Sequence, residues 1–219
     1  AFSAKSKAVF EDIGVGRRYY EYISGVAEDA EGTIWMAGLK TLIAWERTTD
    51  RVTLHPFSEN PARDHWGGIR ALHIDKQDRI WLGLSDGLAI LNRKNETIGY
   101  LNEGVGLPDN HINAIIDAPD GTLWVCTRKG IGLVDPETFR IRSISQDSPL
   151  KAVQGLHCNT AWFRTPSDVW IGTRTGAYRI DLSTGTTQVL TTTDGLAFDD
   201  VIGFAGDTLN RMYIGTRFG

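Results

Sequence analysis

Cysteine is scarce in this sequence, with only Cys126 and Cys158 in 219 residues. That excludes a small fold stapled by disulfides, and the two show no metal-type spacing. Both fall in expected strands of neighbouring units, so buried free thiols are the expected state, with a disulfide as the lesser alternative. No block of like charge exists, and the net charge is −4. A nucleic-acid-binding chain normally shows a basic stripe, and none is present. No apolar run approaches the roughly 18 residues that a membrane-spanning helix needs. Helical periodicity is missing throughout, which excludes an amphipathic helical bundle. The first residues, AFSAKSKAVF, lack an initiator Met and a signal-peptide pattern, as expected of a processed chain or a piece of a longer one.

What is present is a repeat. A tryptophan after a polar turn recurs at Trp35, Trp81, Trp124 and Trp170, and Tyr213 takes the fifth place. The intervals are 46, 43, 46 and 43 residues. The stretch from Leu107 to Thr138 is the cleanest copy. It reads as strand His111 to Asp117, turn, strand Thr122 to Thr127, turn, strand Ile131 to Asp135, and a fourth strand Phe139 to Ile144. Such a meander cannot bury its own faces and must stack on neighbours. Residues of both parities in Leu123-Trp124-Val125-Cys126-Thr127 are largely apolar, as expected for a sheet sandwiched between two others. Four strands per period of about 44 residues is the arithmetic of a β-propeller.

The expected architecture is all-β: a propeller of four-stranded antiparallel blades with five blades' worth of sequence, as one domain over residues 1–219. The tail GTRFG followed by the head AFSAKSKAVF lines up with Gly172 to Gly185. Residues 1–14 are thus expected to supply the third and fourth strands of the fifth blade, and residues 199–219 its first and second. Either five blades close, or the chain is an in-phase fragment of a larger ring, such as one of seven.

The segment NHINAIIDAPDGTLWVCTRKGIGLVDPETFRI, led by Gly106-Leu107-Pro108-Asp109, resembles the two-component regulator propeller repeat, whose pattern is roughly N-x-V-x-x-I-x-x-D-x-x-G-x-L-W-I-G-T-x-x-G-L-x-x-Y-D. Asp194-Gly195-Leu196 echoes the lead-in. Cys126 departs from the pattern by replacing its Gly, and Gly83-Leu84 lacks the Thr. The resemblance implies a sensor propeller outside the cytoplasmic membrane. In that family a transmembrane helix leads on to a histidine kinase or diguanylate cyclase output domain, and the ligands are often breakdown products of polysaccharides. It therefore implies a periplasmic location, a membrane-anchored parent protein that could act as a dimer, a saccharide or acidic small molecule as partner, no nucleic acid, no cofactor and no reaction catalysed by the chain itself.

In a propeller the loops into the first strands and the loops between second and third strands share one face, where binding residues collect. Arg128, Arg174 and Arg217 fall at one place in three successive units. With Lys40 they form an expected basic crescent suited to a carboxylate or sulfate. Turn residues bonded only to water are the plainer alternative. His65, Trp66 and Arg70, His111 and Asn113, His157 and Asn159, and Asp200 with its neighbour Asp199 mark the starts of first strands. There, rings and hydrogen-bonding groups fit the apolar face and hydroxyl rim of a sugar. For Asn110, His111 and Asn159 the plainer alternative is that they satisfy loop backbone groups, and for the lead-in Asn110 that is the stronger expectation. The tryptophan series is expected to be inter-blade core. Two other functions stay open. Convergence of His65, His111 and His157 could hold a metal, which would make the chain a propeller lyase or hydrolase. A rim that binds another protein would make it a scaffold.

Overall fold

The computed structural model describes residues 23–38, 41–56, 68–92, 94 and 96–219. Lys40, His65, Trp66 and the strands expected from residues 1–14 lie outside the described residues. The chain divides into two compact units, Ala1–Tyr100 and Leu101–Gly219.

The first unit contains two meanders. One runs β1 (Gly25–Glu28), β2 (Thr33–Ala37), β3 (Thr41–Glu46), β4 (Arg51–Pro56), and the other β5 (Ala71–Ile74), β6 (Ile80–Gly83), β7 (Leu88–Leu91), β8 (Thr97–Leu101). The second unit continues with β9 (Ile112–Asp117), β10 (Leu123–Thr127), β11 (Gly130–Asp135), β12 (Arg140–Arg142), then β13 (Cys158–Phe163), β14 (Asp168–Thr173), β15 (Gly176–Asp181), β16 (Thr187–Leu190). Its last described sheet pairs β17 (Val201–Gly206) with β18 (Met212–Thr216). The expected strand from Phe139 to Ile144 is shorter in the structure, because Phe139 takes a left-handed turn conformation at φ 56° and closes the β11–β12 hairpin.

Recurring local chemistry closes the turns of several sheets. Between the first and second strands, one aspartate closes the turn. Asp29 accepts hydrogen bonds from the Glu31 and Thr33 amides and from the Trp35 indole, at 3.0, 2.9 and 3.0 Å. Asp75 accepts from Gln77, Arg79 and Trp81 at 2.9, 3.0 and 2.7 Å. Asp207 accepts from Leu209, Arg211 and the Tyr213 hydroxyl at 2.9, 2.9 and 3.2 Å. The spacing i, i+2, i+4, i+6 satisfies two turn amides and locks the core ring in one rotamer. Ala118 and Arg164 occupy the aspartate's place in the other two sheets. Pro166 there supplies no amide, and the buried Trp170 indole N–H has no partner among the described residues.

Between the second and third strands, Thr127 and Thr173 accept from the amides of Lys129 and Thr175 and donate to the carbonyls of Gly130 and Gly176. Gly130 and Gly176 have φ of 123° and 132°. A Cβ on either would lie 2.5 Å from Gln154 Oε1 or 2.6 Å from the Leu190 carbonyl, so only glycine fits these turns. Between third and fourth strands, Asp135 and Asp181 accept from the amides two and three residues on.

Burial follows the stacking. Every residue of β10 and β14 is buried, so both faces of these strands are covered. In the second unit Trp124 meets Phe163 of the next sheet edge-on at 4.8 Å, and Trp170 meets Phe204 at 6.1 Å. In the first unit Trp35, Leu82 and Leu91 share one core with Leu72 and Ile74. The tryptophan series is core in both units, as its regular spacing predicts. Cys126 and Cys158 are free thiols, fully buried in one cluster that spans the third and fourth sheets.

Candidate ligand-binding site

Three successive sheets of the second unit present the same positions at one edge. His111, His157 and Asp200 immediately precede the first strands β9, β13 and β17. Arg128, Arg174 and Arg217 immediately follow the second strands. The amide of Arg174 donates to the His157 carbonyl at 3.2 Å, and that of Arg217 to the Asp200 carbonyl at 2.9 Å. Each of these two arginines is therefore held beside the residue that opens its own sheet.

The asparagines are tied into the structure. Asn113 Nδ2 donates to the Cys158 carbonyl at 2.8 Å and lies 3.2 Å from His157 Nε2. Asn159 Nδ2 donates to the Val201 carbonyl at 2.9 Å and to Asp200 Oδ1 at 2.7 Å. In both cases a residue in the first strand ties its sheet to the first residue of the next sheet's first strand and to the side chain just before it. Ser24 makes the equivalent bond to the Ile69 carbonyl in the first unit, at 2.7 Å. Arg70 is exposed and takes the equivalent register position in the second sheet. Asn110 and Asp199 close their lead-in loops by accepting from the Glu103 and Thr192 amides, both at 2.7 Å. Asn110 and Asn159 thus bond backbone groups, the plainer of the two roles expected of them.

The crescent is only partly available. Arg217 Nε lies 2.5 Å from Asp200 Oδ2. Burial would push the Asp200 carboxyl up. Hydrogen bonds from Arg217 and Asn159, with the positive charges of Arg217 and Arg174, outweigh burial and hold it below the usual carboxylate value. Lys129 is paired with Glu103 at 3.0 Å and Asp109 at 3.3 Å. Arg128 and Arg174 are exposed, and neither makes a side-chain ion pair among the described residues. They are the two guanidinium groups of this edge left to meet an anion from solvent.

One aromatic feature escaped the sequence. Phe198 and Phe218 pack edge to face at 5.1 Å, 41% and 74% exposed. Phe198 stands where the better lead-in copy has Asp109, and Phe218 follows Arg217 in the turn. Their signal is two apolar substitutions at polar loop positions, visible only once the copies are aligned by register. The burial of both cysteines pushes their thiols up, Cys158 to about 12 and Cys126 well above its ordinary value, the latter aided by the nearby Cys158. Neither is a nucleophile at neutral pH. Among the described residues no three His, Cys, Asp or Glu side chains are grouped to hold a metal ion. His65, the third histidine of the metal alternative, lies outside the described residues.

Stacked four-stranded meanders joined by tight turns define a β-propeller, and one loop edge of its second unit bears two unpaired arginines. Residues 106–129 match the family model described as two component regulator propeller. The fold is shared with the extracellular domain of the hybrid two component system BT3049 from B. thetaiotaomicron, at a TM-score of 0.75 and 20% identity over 92% of this chain. It is shared also with the extracellular domain of the one component system BT4673 from the same organism, at a TM-score of 0.55 and 20% identity over 89% of this chain. The chain spans 28% and 31% of the length of those two structures. Virginiamycin B lyase from Staphylococcus aureus has the same fold at 13% identity and a TM-score of 0.63, with 89% of this chain and 63% of the lyase covered. No curated protein matches the sequence significantly.

Proposed function

We propose that the chain is the ligand-binding sensor propeller of a transmembrane signalling receptor, exposed outside the cytoplasm, and that it takes an acidic saccharide fragment or small carboxylate at the loop edge of the second unit. The observation that carries the reading is the pair Arg128 and Arg174. They occupy the same place in adjacent sheets, both face solvent, and neither makes a side-chain ion pair among the described residues, whereas the neighbouring Lys129 and Arg217 do. Guanidinium groups so placed favour bidentate recognition of carboxylate or sulfate. The Phe198–Phe218 pair offers an apolar platform for a sugar ring beside Arg217. Two of the similar structures are extracellular domains of signalling systems, which supports the receptor setting. In that setting a membrane-anchored parent protein carries the output domain, and the ligand acts by shifting a pre-existing equilibrium between arrangements of the sensor. The chain itself needs no reaction, metal or cofactor for this role.

Calorimetric titration of the chain with digalacturonate and with its uncharged digalactose counterpart tests the reading. The acidic compound is expected to bind, with an affinity that falls as salt rises. The double variant Arg128→Ala, Arg174→Ala is expected to lose at least about a hundredfold, two charge-assisted bonds being removed. Equal binding of the charged and uncharged compounds, or undiminished binding by the double variant, would sink the acidic-ligand reading.

A further inference from the structure

The first unit holds a cavity of about 270 Å³, lined by the first sheet and its turns, with Thr33, Trp35, Ala44, Thr53 and His55 on its walls. The strand register explains why it exists. Across β2, β3 and β4 the row is Trp35, Ala44, Thr53. The same row is Trp124, Leu133, Arg142 in the third sheet and Trp170, Arg179, Gln188 in the fourth. Long side chains fill the space beside the tryptophan there. Arg142 reaches Asp120 and Asp135, and Arg179 lies over the Trp170 ring while bonding Asp168. Two small residues leave the first sheet hollow at that point.

The lining is chemically distinctive. Trp35 and His55 stack at 5.6 Å with 26° between their planes. Trp35 is buried and anchors the stack, and the half-buried His55 presents its outer surface. Burial lowers the His55 pKa, so its ring is neutral at pH 7 and offers one donor and one acceptor. The hydroxyls of Thr33 and Thr53 make no hydrogen bond among the described residues. At the rim Arg47 pairs with Glu28 and Arg51 with Glu46, and Glu31 adds a further carboxylate. Asp29 is engaged by the turn and by the Trp35 indole. An anion would meet Glu31 and Glu46, and a cation would meet Arg47 and Arg51. An aromatic wall, free hydroxyls and a rim that carries charges of both signs suit an uncharged ring with an apolar face and a hydroxyl rim.

We propose that this cavity is a binding subsite for a neutral sugar residue. It involves none of the residues of the loop edge and stands or falls independently of the function proposed above. Saturation-transfer NMR on the whole chain with cellobiose, maltose, xylobiose and mannobiose tests it. At least one of the four is expected to receive saturation. Ala44→Leu and Thr53→Arg, each installing the residue that the third sheet carries in that row, are expected to weaken binding at least about tenfold by filling the space. The Arg128→Ala, Arg174→Ala variant is expected to bind these neutral probes like the wild type. Absence of transfer to all four disaccharides, or full transfer to a filled variant, overturns the proposal. Should the filled variants not fold, His55→Ala serves instead, and undiminished binding by it has the same consequence.

Discussion

Asp75 shows how much a single side chain can hold. Its carboxylate accepts two turn amides, the Trp81 indole and the Arg79 guanidinium, and Trp81 is fully buried. Asp75→Ala leaves the indole N–H and two amides without their acceptor, so a loss of about 2–4 kcal/mol is expected in urea unfolding. Asp207→Ala removes the same clamp around Tyr213, which is 52% exposed, and is expected to cost less because water replaces the lost partner. Equal losses would mean that the turn, not the buried ring, sets the stability. Acid has a definite sign here. Burial pushes the Asp75 carboxyl up, but bonds from Trp81, Arg79 and Gln77 bring it below its ordinary 3.8. A depressed folded pKa means stability that is complete above the unfolded value and is lost as pH falls through the folded one. The chain is therefore expected to lose stability below pH 3.8, and Asp75→Asn to flatten that loss when unfolding midpoints are followed against pH.

Among the elements, the strands that carry a turn glycine and an aromatic ring are readable in the sequence, because period-two alternation and turn chemistry are local. The aspartate clamp stands in the string at Asp29, Asp75 and Asp207 but shows there only as turn polarity, since its reach of six residues becomes meaningful when the hairpin folds. The Arg217–Asp200 pair is hidden for a different reason. Arg217 and Asp200 lie on separate loops, and repeat position alone groups Arg217 with the unpaired arginines. The hollow beside Trp35 needs the register of three strands. Asn113 and Asn159 illustrate the limit of residue type. Polar residues at a loop edge suggest ligand contact, and the backbone carbonyls of the next sheet claim them. Asn159→Ala is expected to lower stability by about 1–3 kcal/mol, through the unmet Val201 carbonyl, and to free one oxygen of Asp200. Amide hydrogen exchange is expected to quicken in β17 rather than in β10. Uniform quickening would argue against a local tie.

For the whole molecule, the repeat divides labour between similar sheets. The same row of residues packs tightly in the third and fourth sheets and leaves a cavity in the first. The same turn position carries a free arginine in two sheets and a paired one in the last. The fold therefore constrains the ring residues and turn glycines, while the partners and packing of the other positions differ from copy to copy. The thiols provide a measurement at this scale. Cys126 and Cys158 are fully buried, with Cys158 held near 12, so native alkylation by iodoacetamide at pH 8 is expected to be slower than for a free thiol by orders of magnitude. Rapid native labelling would mean that the third and fourth sheets part readily.

That sealed layer lies directly beneath the loop edge that bears Arg128 and Arg174. Cys158 follows His157, and its carbonyl receives Asn113. Alkylation can proceed only when the layer opens, so its rate counts openings, and any compound that binds the closed edge must slow it in proportion to occupancy. The two cysteines thus give the protein an internal clock from which affinity can be read without a label, a chromophore or any assumption about which compound binds.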